Sequence, residues 1–115
     1  MHENLSNKYN KFENIENVIK YIDNNYTENH PVQHYANMCN LDRYYFIKLF
    51  KEYTGISPVF YRTKIRIEKA KELLTTTQMS IAEIAEMVGY QNPYYFSRIF
   101  KIHTGISPYF FKPKN

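Results

Sequence analysis

Tyr44-Tyr45-Phe46-Ile47-Lys48-Leu49-Phe50-Lys51-Glu52-Tyr53-Thr54-Gly55-Ile56-Ser57-Pro58-Val59-Phe60 returns fifty residues later as Tyr94-Tyr95-Phe96-Ser97-Arg98-Ile99-Phe100-Lys101-Ile102-His103-Thr104-Gly105-Ile106-Ser107-Pro108-Tyr109-Phe110. Eleven of the seventeen positions are identical, and Lys48/Arg98 and Leu49/Ile99 are conservative pairs. Chance does not produce such a match within one short chain, so the sequence holds two copies of one unit.

Each copy reads as a helix with marked ends. Asp42 and Asn92 are N-cap candidates, and Pro93 suits a first helical position, where a missing N–H costs nothing. Gly55 and Gly105 suit the left-handed residue that closes a helix. Ser57-Pro58 and Ser107-Pro108 then open a further helix. Phe46, Leu49 and Phe50, with Phe96, Ile99 and Phe100, recur at helical spacing and are expected to face a core. Tyr45 and Tyr95 lie beside that side and read as packing. The outer face holds Arg43, Tyr44, Ile47, Lys48 and Lys51 in the first copy. In the second it holds Tyr94, Ser97, Arg98 and Lys101.

A short helix precedes each copy. Ser80-Ile81-Ala82-Glu83 is a capping box that opens Ile81 to Val88, Gly89 ends it, and Tyr90-Gln91-Asn92 is the turn. Upstream, Val32 to Cys39 takes the same part, with Asn40-Leu41 as the turn and Pro31 where Ser80 stands. Short helix, turn and second helix make a helix-turn-helix, twice. The turns differ by one residue, since Ala36 lies ten residues before Phe46 and Ala85 eleven before Phe96.

Two more helices are expected. Ile15, Val18, Ile19, Ile22 and Tyr26 follow an amphipathic pattern. From Pro58 to about Leu74 runs a longer helix with Phe60, Ile67, Ala70 and Leu74 as its apolar stripe. Arg62, Lys64, Arg66, Lys69 and Lys71 make the rest of it basic, and Thr75-Thr76-Thr77-Gln78 is expected to break it. No strand pattern competes. The expected fold is all-α, with about seven helices in two helix-turn-helix subdomains joined by a long linker helix.

Length and charge fit one domain. The 115 residues suffice to bury a core without a staple, and the single cysteine, Cys39, excludes an internal disulfide. A lone thiol fits a reducing interior. No apolar run approaches the roughly 20 residues of a membrane span, and the first residues lack a signal-peptide layout. A cytoplasmic protein with no membrane partner is expected. Net charge is +4, distributed as −3 over residues 1–42, +6 over 43–71, −3 over 72–92 and +4 over 93–115. Two separate basic blocks fit a polyanion met by two segments. A compositional bias toward Lys, Asn, Tyr and Ile would scatter charges too, and composition alone leaves both readings open.

Several motifs together resemble the AraC/XylS family of bacterial transcription activators. They are Arg66-Ile67-Glu68-Lys69-Ala70-Lys71-Glu72-Leu73-Leu74, Ile81-Ala82-Glu83-Ile84-Ala85 followed by Val88-Gly89-Tyr90, and Tyr95-Phe96-Ser97-Arg98-Ile99-Phe100-Lys101 with Thr104-Gly105-Ile106-Ser107-Pro108. The resemblance covers roughly residues 14–111. It implies a single DNA-binding domain over 1–115. Its first subdomain is at about 12–57, the linker helix at 58–75 and the second subdomain at 79–112. It also implies that the two recognition helices enter successive major-groove segments of double-stranded DNA. Base contacts then fall on Arg43, Tyr44, Ile47 and Lys48, and on Pro93, Tyr94, Ser97 and Arg98. Ile47 is apolar where the family usually offers a polar side chain, so the first helix is expected to read thymine methyls or little. Pro93 can make no side-chain hydrogen bond.

Physical chemistry sorts these contacts. Arg98 can pair bidentately with guanine O6 and N7. Lys48, Lys51 and Lys101 are point charges and suit phosphates. Arg62, Lys64 and Arg66 either grip phosphates or form a solvated face. Tyr44 and Tyr94 either pack on sugars and thymine methyls or are half-buried between helices. His30 and His34 are spaced i, i+4, but a metal site needs three or four convergent ligands, so they read as surface histidines. Cys39 reads as core filling. No catalytic set and no cofactor site are expected. RNA polymerase is an expected protein partner, and a monomer on DNA is expected unless the chain is part of a longer one. The alternative function is a helix-turn-helix used mainly for docking RNA polymerase or another protein. A third, an enzyme such as a DNA-repair methyltransferase, needs a reactive cysteine in a basic pocket.

The basic blocks generate a first prediction. Neutralising about 5–8 phosphates gives a log–log salt dependence of duplex affinity with a slope of roughly −5 to −7. A titration that stays flat from low to moderate salt removes the DNA reading.

Overall fold

The computed structural model describes residues 2–113, with side chains from Phe12 onward. Seven helices follow in order: α1 (His2–Asn24), α2 (Val32–Met38), α3 (Arg43–Thr54), α4 (Pro58–Thr76), α5 (Ile81–Met87), α6 (Pro93–Thr104) and α7 (Pro108–Phe111). No strand occurs among the described residues. The chain divides into two compact units. The first takes residues 1–25 and 29–62, and the second residues 26–28 and 63–115, so α4 supplies residues to both.

Helix ends follow the local chemistry. Asp42 accepts from the Tyr45 amide at 3.0 Å, and Asn92 accepts from the amides of Tyr94 and Tyr95. Ser80 and Glu83 close a reciprocal box, with Ser80 Oγ accepting from the Glu83 amide and Glu83 Oε1 from the Ser80 amide. The hydrogen bond from the Ser80 backbone holds the Glu83 carboxyl below its usual range. Pro31 caps α2 without a side-chain bond. Gly55 and Gly105 sit in the left-handed region at φ 87° and 89°, each returning its amide to a carbonyl four residues back.

The two turns share a device. Leu41 donates to the Ala36 carbonyl and Tyr90 to the Ala85 carbonyl, which aligns Asn40 with Gly89. Both have positive φ, 55° and 111°. Asn tolerates this conformation better than most residues because its short side chain bonds locally. Gln91 is the extra residue of the second turn.

In the first unit Ile15, Val18 and Ile22 of α1 bury against Tyr35 and Ala36 of α2 and Phe46, Leu49 and Phe50 of α3, with Cys39 beside them. In the second, Ile67, Ala70 and Leu74 meet Ile84, Ala85, Val88, Tyr90, Phe96 and Phe100. Each fully buried large apolar side chain contributes about 1.5–3 kcal/mol.

Several expectations need correction. Helix α1 starts well before Ile15 and ends at Asn24, so Tyr26 lies beyond it and packs on the second unit's core instead. Phe60 is 47% exposed rather than part of a buried stripe. Ile99 packs half-buried against the second core and Tyr45 is half-buried, both as expected, whereas Tyr95 is 49% exposed with its ring 5.8 Å from Tyr90. Helices α2 and α5 stop one residue early, with Cys39 and Val88 as C-caps. Helix α4 runs two residues past Leu74, and the hydroxyls of Thr75 and Thr76 bond back to the Lys71 and Glu72 carbonyls.

A Cβ at Gly89 would stand 2.9 Å from Arg66 Cζ and 2.9 Å from the Thr27 carbonyl, whereas one at Gly55 meets nothing within 4 Å. Gly55→Ala should cost about 1–2 kcal/mol, from backbone strain alone. Gly89→Ala should cost about 2–4 kcal/mol, because crowding adds to strain. Chemical denaturation of the two variants checks the order, and equal losses would show that crowding at Gly89 is absent.

Candidate nucleic-acid interface

The buried side of α3 fixes its outer side. With Phe46, Leu49 and Phe50 inward, the helical period turns Arg43, Tyr44, Lys48 and Lys51 outward, and all four are exposed. Ile47 is half-buried at the edge. Helix α6 repeats the arrangement. Phe96 and Phe100 are inward; Tyr94, Arg98 and Lys101 are exposed; Pro93 and Ser97 are half-buried. Tyr44 and Tyr94 are 73% and 83% exposed, which removes burial between helices as an account of either. Each unit therefore gathers its own sequence-predicted residues on one helix face, basic and aromatic together. Helices with such faces fit the DNA major groove in size and in charge.

Tyr44 is also engaged locally. Arg43 Nη2 donates to the Tyr44 hydroxyl at 2.9 Å, and Arg43 Cζ stands 4.9 Å from the Tyr44 ring centre.

The cations of α4 divide differently from expectation. Lys64 is exposed. Arg66 is only 3% exposed and lies within the second unit. Its Nε donates to the Tyr26 carbonyl at 2.6 Å and its Nη2 to the Glu28 carbonyl at 3.1 Å, and its guanidinium lies 4.9 Å from the Tyr90 ring centre. A side chain so enclosed does not reach a phosphate, and Arg66 is withdrawn from the phosphate set. Arg62 is half-buried in the first unit, where Nη1 donates to the His30 carbonyl at 2.8 Å and the Tyr35 hydroxyl at 3.0 Å. Unlike Arg66 it keeps part of its side chain exposed, so it stays in the phosphate set. The sequence carried a signal for Arg66: it stands four and eight residues before Ala70 and Leu74, on the buried stripe itself.

His30 and His34 are not plain surface residues. Their rings stack at 3.8 Å, Tyr21 and Tyr35 contact both, and the Tyr21 hydroxyl is 3.3 Å from His30 Nε2. Among the described residues no group of three or more His, Cys, Asp or Glu could hold a metal. Cys39 is buried, and that burial pushes its thiol upward. No helix among the described residues is long and apolar enough to cross a membrane.

Two helix-turn-helix units with outward basic helix faces define a class of DNA-binding domain. A helix-turn-helix domain family matches residues 35–113. The lactose operon transcription activator of Staphylococcus xylosus is 38% identical over 81 residues, 70% of this chain and 29% of that protein. The chain thus spans less than a third of that relative's length. The C-terminal domain of AraT, a response regulator from Geobacillus stearothermophilus, superposes with a TM-score of 0.82 at 36% identity, covering 86% of this chain and 83% of that one. The DNA-binding domain of AdpA, a global transcriptional factor solved with a target DNA, superposes with a TM-score of 0.80 at 25% identity, covering 84% and 87%. The chain belongs to the AraC/XylS-type helix-turn-helix family of transcription regulators. Its fold is that of the family's DNA-binding domains, and sequence-specific DNA binding in transcription regulation is the function of that family.

Arg66→Ala separates a structural from a phosphate role. Uncovering the Tyr26 and Glu28 carbonyls should cost about 1–3 kcal/mol of stability. Below the melting transition, the salt slope of DNA binding should match wild type. A slope shallower by about one unit at unchanged melting temperature would restore Arg66 to the phosphate set.

Proposed function

We propose that this chain binds double-stranded DNA as a monomeric domain in the bacterial cytoplasm. In this reading it recognises two adjacent major-groove segments, one with α3 and one with α6, and engages RNA polymerase as its protein partner. The observation that carries it is the pair of outward basic and aromatic faces, mounted on two side-chain-capped helices of one chain. Two unlike recognition helices require an asymmetric, bipartite site with half-elements about one turn, roughly 10 bp, apart.

Arg43, Tyr44, Ile47 and Lys48 face the bases of one half-element, and Pro93, Tyr94, Ser97 and Arg98 those of the other. Lys51, Arg62, Lys64 and Lys101 meet phosphates, and so does Lys48, a point charge beside the base-facing residues. With Arg66 removed from that set, about five phosphate contacts remain, and the salt slope belongs at roughly −5. Ile47 offers only apolar contact, which suits a thymine methyl. No cofactor enters this reading, and no catalytic residue.

Arg98→Ala and Lys48→Ala test it on a duplex selected by the purified domain. Arg98→Ala should cost about 1–3 kcal/mol and relax preference at one base pair. Lys48→Ala should weaken specific and scrambled duplexes alike and lower the salt slope by about one unit. Both side chains are exposed, so melting temperatures should hold. The reading fails if Arg98→Ala leaves the specific-to-scrambled ratio unchanged.

A further inference from the structure

The two recognition helices place their arginines at different positions. Arg43 is the first residue of α3, where α6 has Pro93; Arg98 is the sixth residue of α6, where α3 has Lys48. A guanidinium at a first helical position sits on a long, flexible side chain, and ordering it on a base edge costs rotamer entropy. In this chain Arg43 has a local partner. Its Nη2 donates to the Tyr44 hydroxyl, and the guanidinium carbon lies within cation–π range of the same ring. The bond occupies one of five guanidinium N–H donors, so a two-pronged edge remains. Tyr44 is 73% exposed and Arg43 is exposed, so the pair stands on the outer face of α3 and is not a core contact. The second copy has no equivalent, because Pro93 has no donor and Tyr94 no arginine before it.

We infer that Tyr44 is a positioning residue that holds Arg43 ready to read a guanine at one end of the first half-element. The inference rests on the base-reading function proposed above. It gives the first unit a guanine dependence of its own, supplied by Arg43 rather than by Lys48. Arg43 and Arg98 stand five residues apart in the repeat alignment, about 7.5 Å of helix rise. The guanine each selects therefore belongs near a different end of its half-element.

The test is a mutant cycle read as base preference. A duplex is selected with the wild-type domain, and each base pair of the first half-element is then varied. Arg43→Lys and Arg43→Ala should each lower preference for guanine at one base pair by roughly 5- to 150-fold. Tyr44→Phe keeps the ring and removes the hydroxyl. It should lower preference at that same pair by roughly 2- to 10-fold, with melting temperature and salt slope unchanged. In the Arg43→Ala background, Tyr44→Phe should have no further effect, because the two act as one. The inference is overturned if Tyr44→Phe equals wild type at that pair. It is also overturned if the hydroxyl loss weakens binding as much without Arg43 as with it, which would make Tyr44 a contact in its own right. A wild-type domain with no base preference anywhere would instead defeat the base-reading function itself.

Discussion

A pair of phenylalanines one turn apart, buried in each unit, decides which way the recognition helices face. Phe46 and Phe50 lie with ring centres 5.8 Å apart, and Phe96 and Phe100 repeat that spacing. All four are fully buried. Each ring removes a large apolar area from water, and rotating either helix by one position would expose both rings of its pair. The rotation of α3 and α6 is therefore set by the core, and the outward set follows without further instruction. Side-chain caps at the start and left-handed glycines at the end fix the length of each helix as the rings fix its rotation.

The second unit adds a constraint the first lacks. Arg66 is a buried cation whose charge is met by two backbone carbonyls and the face of Tyr90. The carbonyls belong to Tyr26 and Glu28, a short segment just after α1 that lies within the second unit. Gly89 is required there because a side chain would collide with the guanidinium. The positive φ at this turn thus serves two ends: it turns the chain between α5 and α6, and it leaves room for the arginine. In the first unit Asn40 answers only the conformational need.

The exposed faces follow from these buried choices, but they are not equivalent. The first carries an arginine at the start of its helix, hydrogen-bonded to a tyrosine, and an apolar residue at its centre. The second carries a serine and an arginine there, with proline at the start. The repeat supplied one scaffold twice. Within the recognition helices the differences between copies lie at exposed or half-buried positions, except at the conservative pair Leu49/Ile99, where buried Leu49 keeps the apolar character of the core.

The sequence by itself determined the all-α fold, the two helix-turn-helix units, the caps at Asp42, Ser80 and Asn92, and the outward placement of Arg43, Tyr44, Lys48, Lys51, Tyr94, Arg98 and Lys101. These are local matters, set by helical period and by side chains bonding to amides within three residues. The helical period of α4 puts Arg66 on the buried stripe, but only tertiary structure decided what meets each α4 cation. By composition Arg62, Lys64 and Arg66 are three basic residues on one helix. What separates them is carbonyls more than twenty residues away: His30 for Arg62, and Tyr26 and Glu28 for Arg66. The same holds for Tyr26, which continues the α1 pattern yet packs in the other unit, and for His30 and His34, whose stacking depends on Tyr21 of another helix. A period in the sequence shows which face a residue occupies. It cannot show which distant carbonyl or ring waits opposite, because that partner is brought there only by the packed chain.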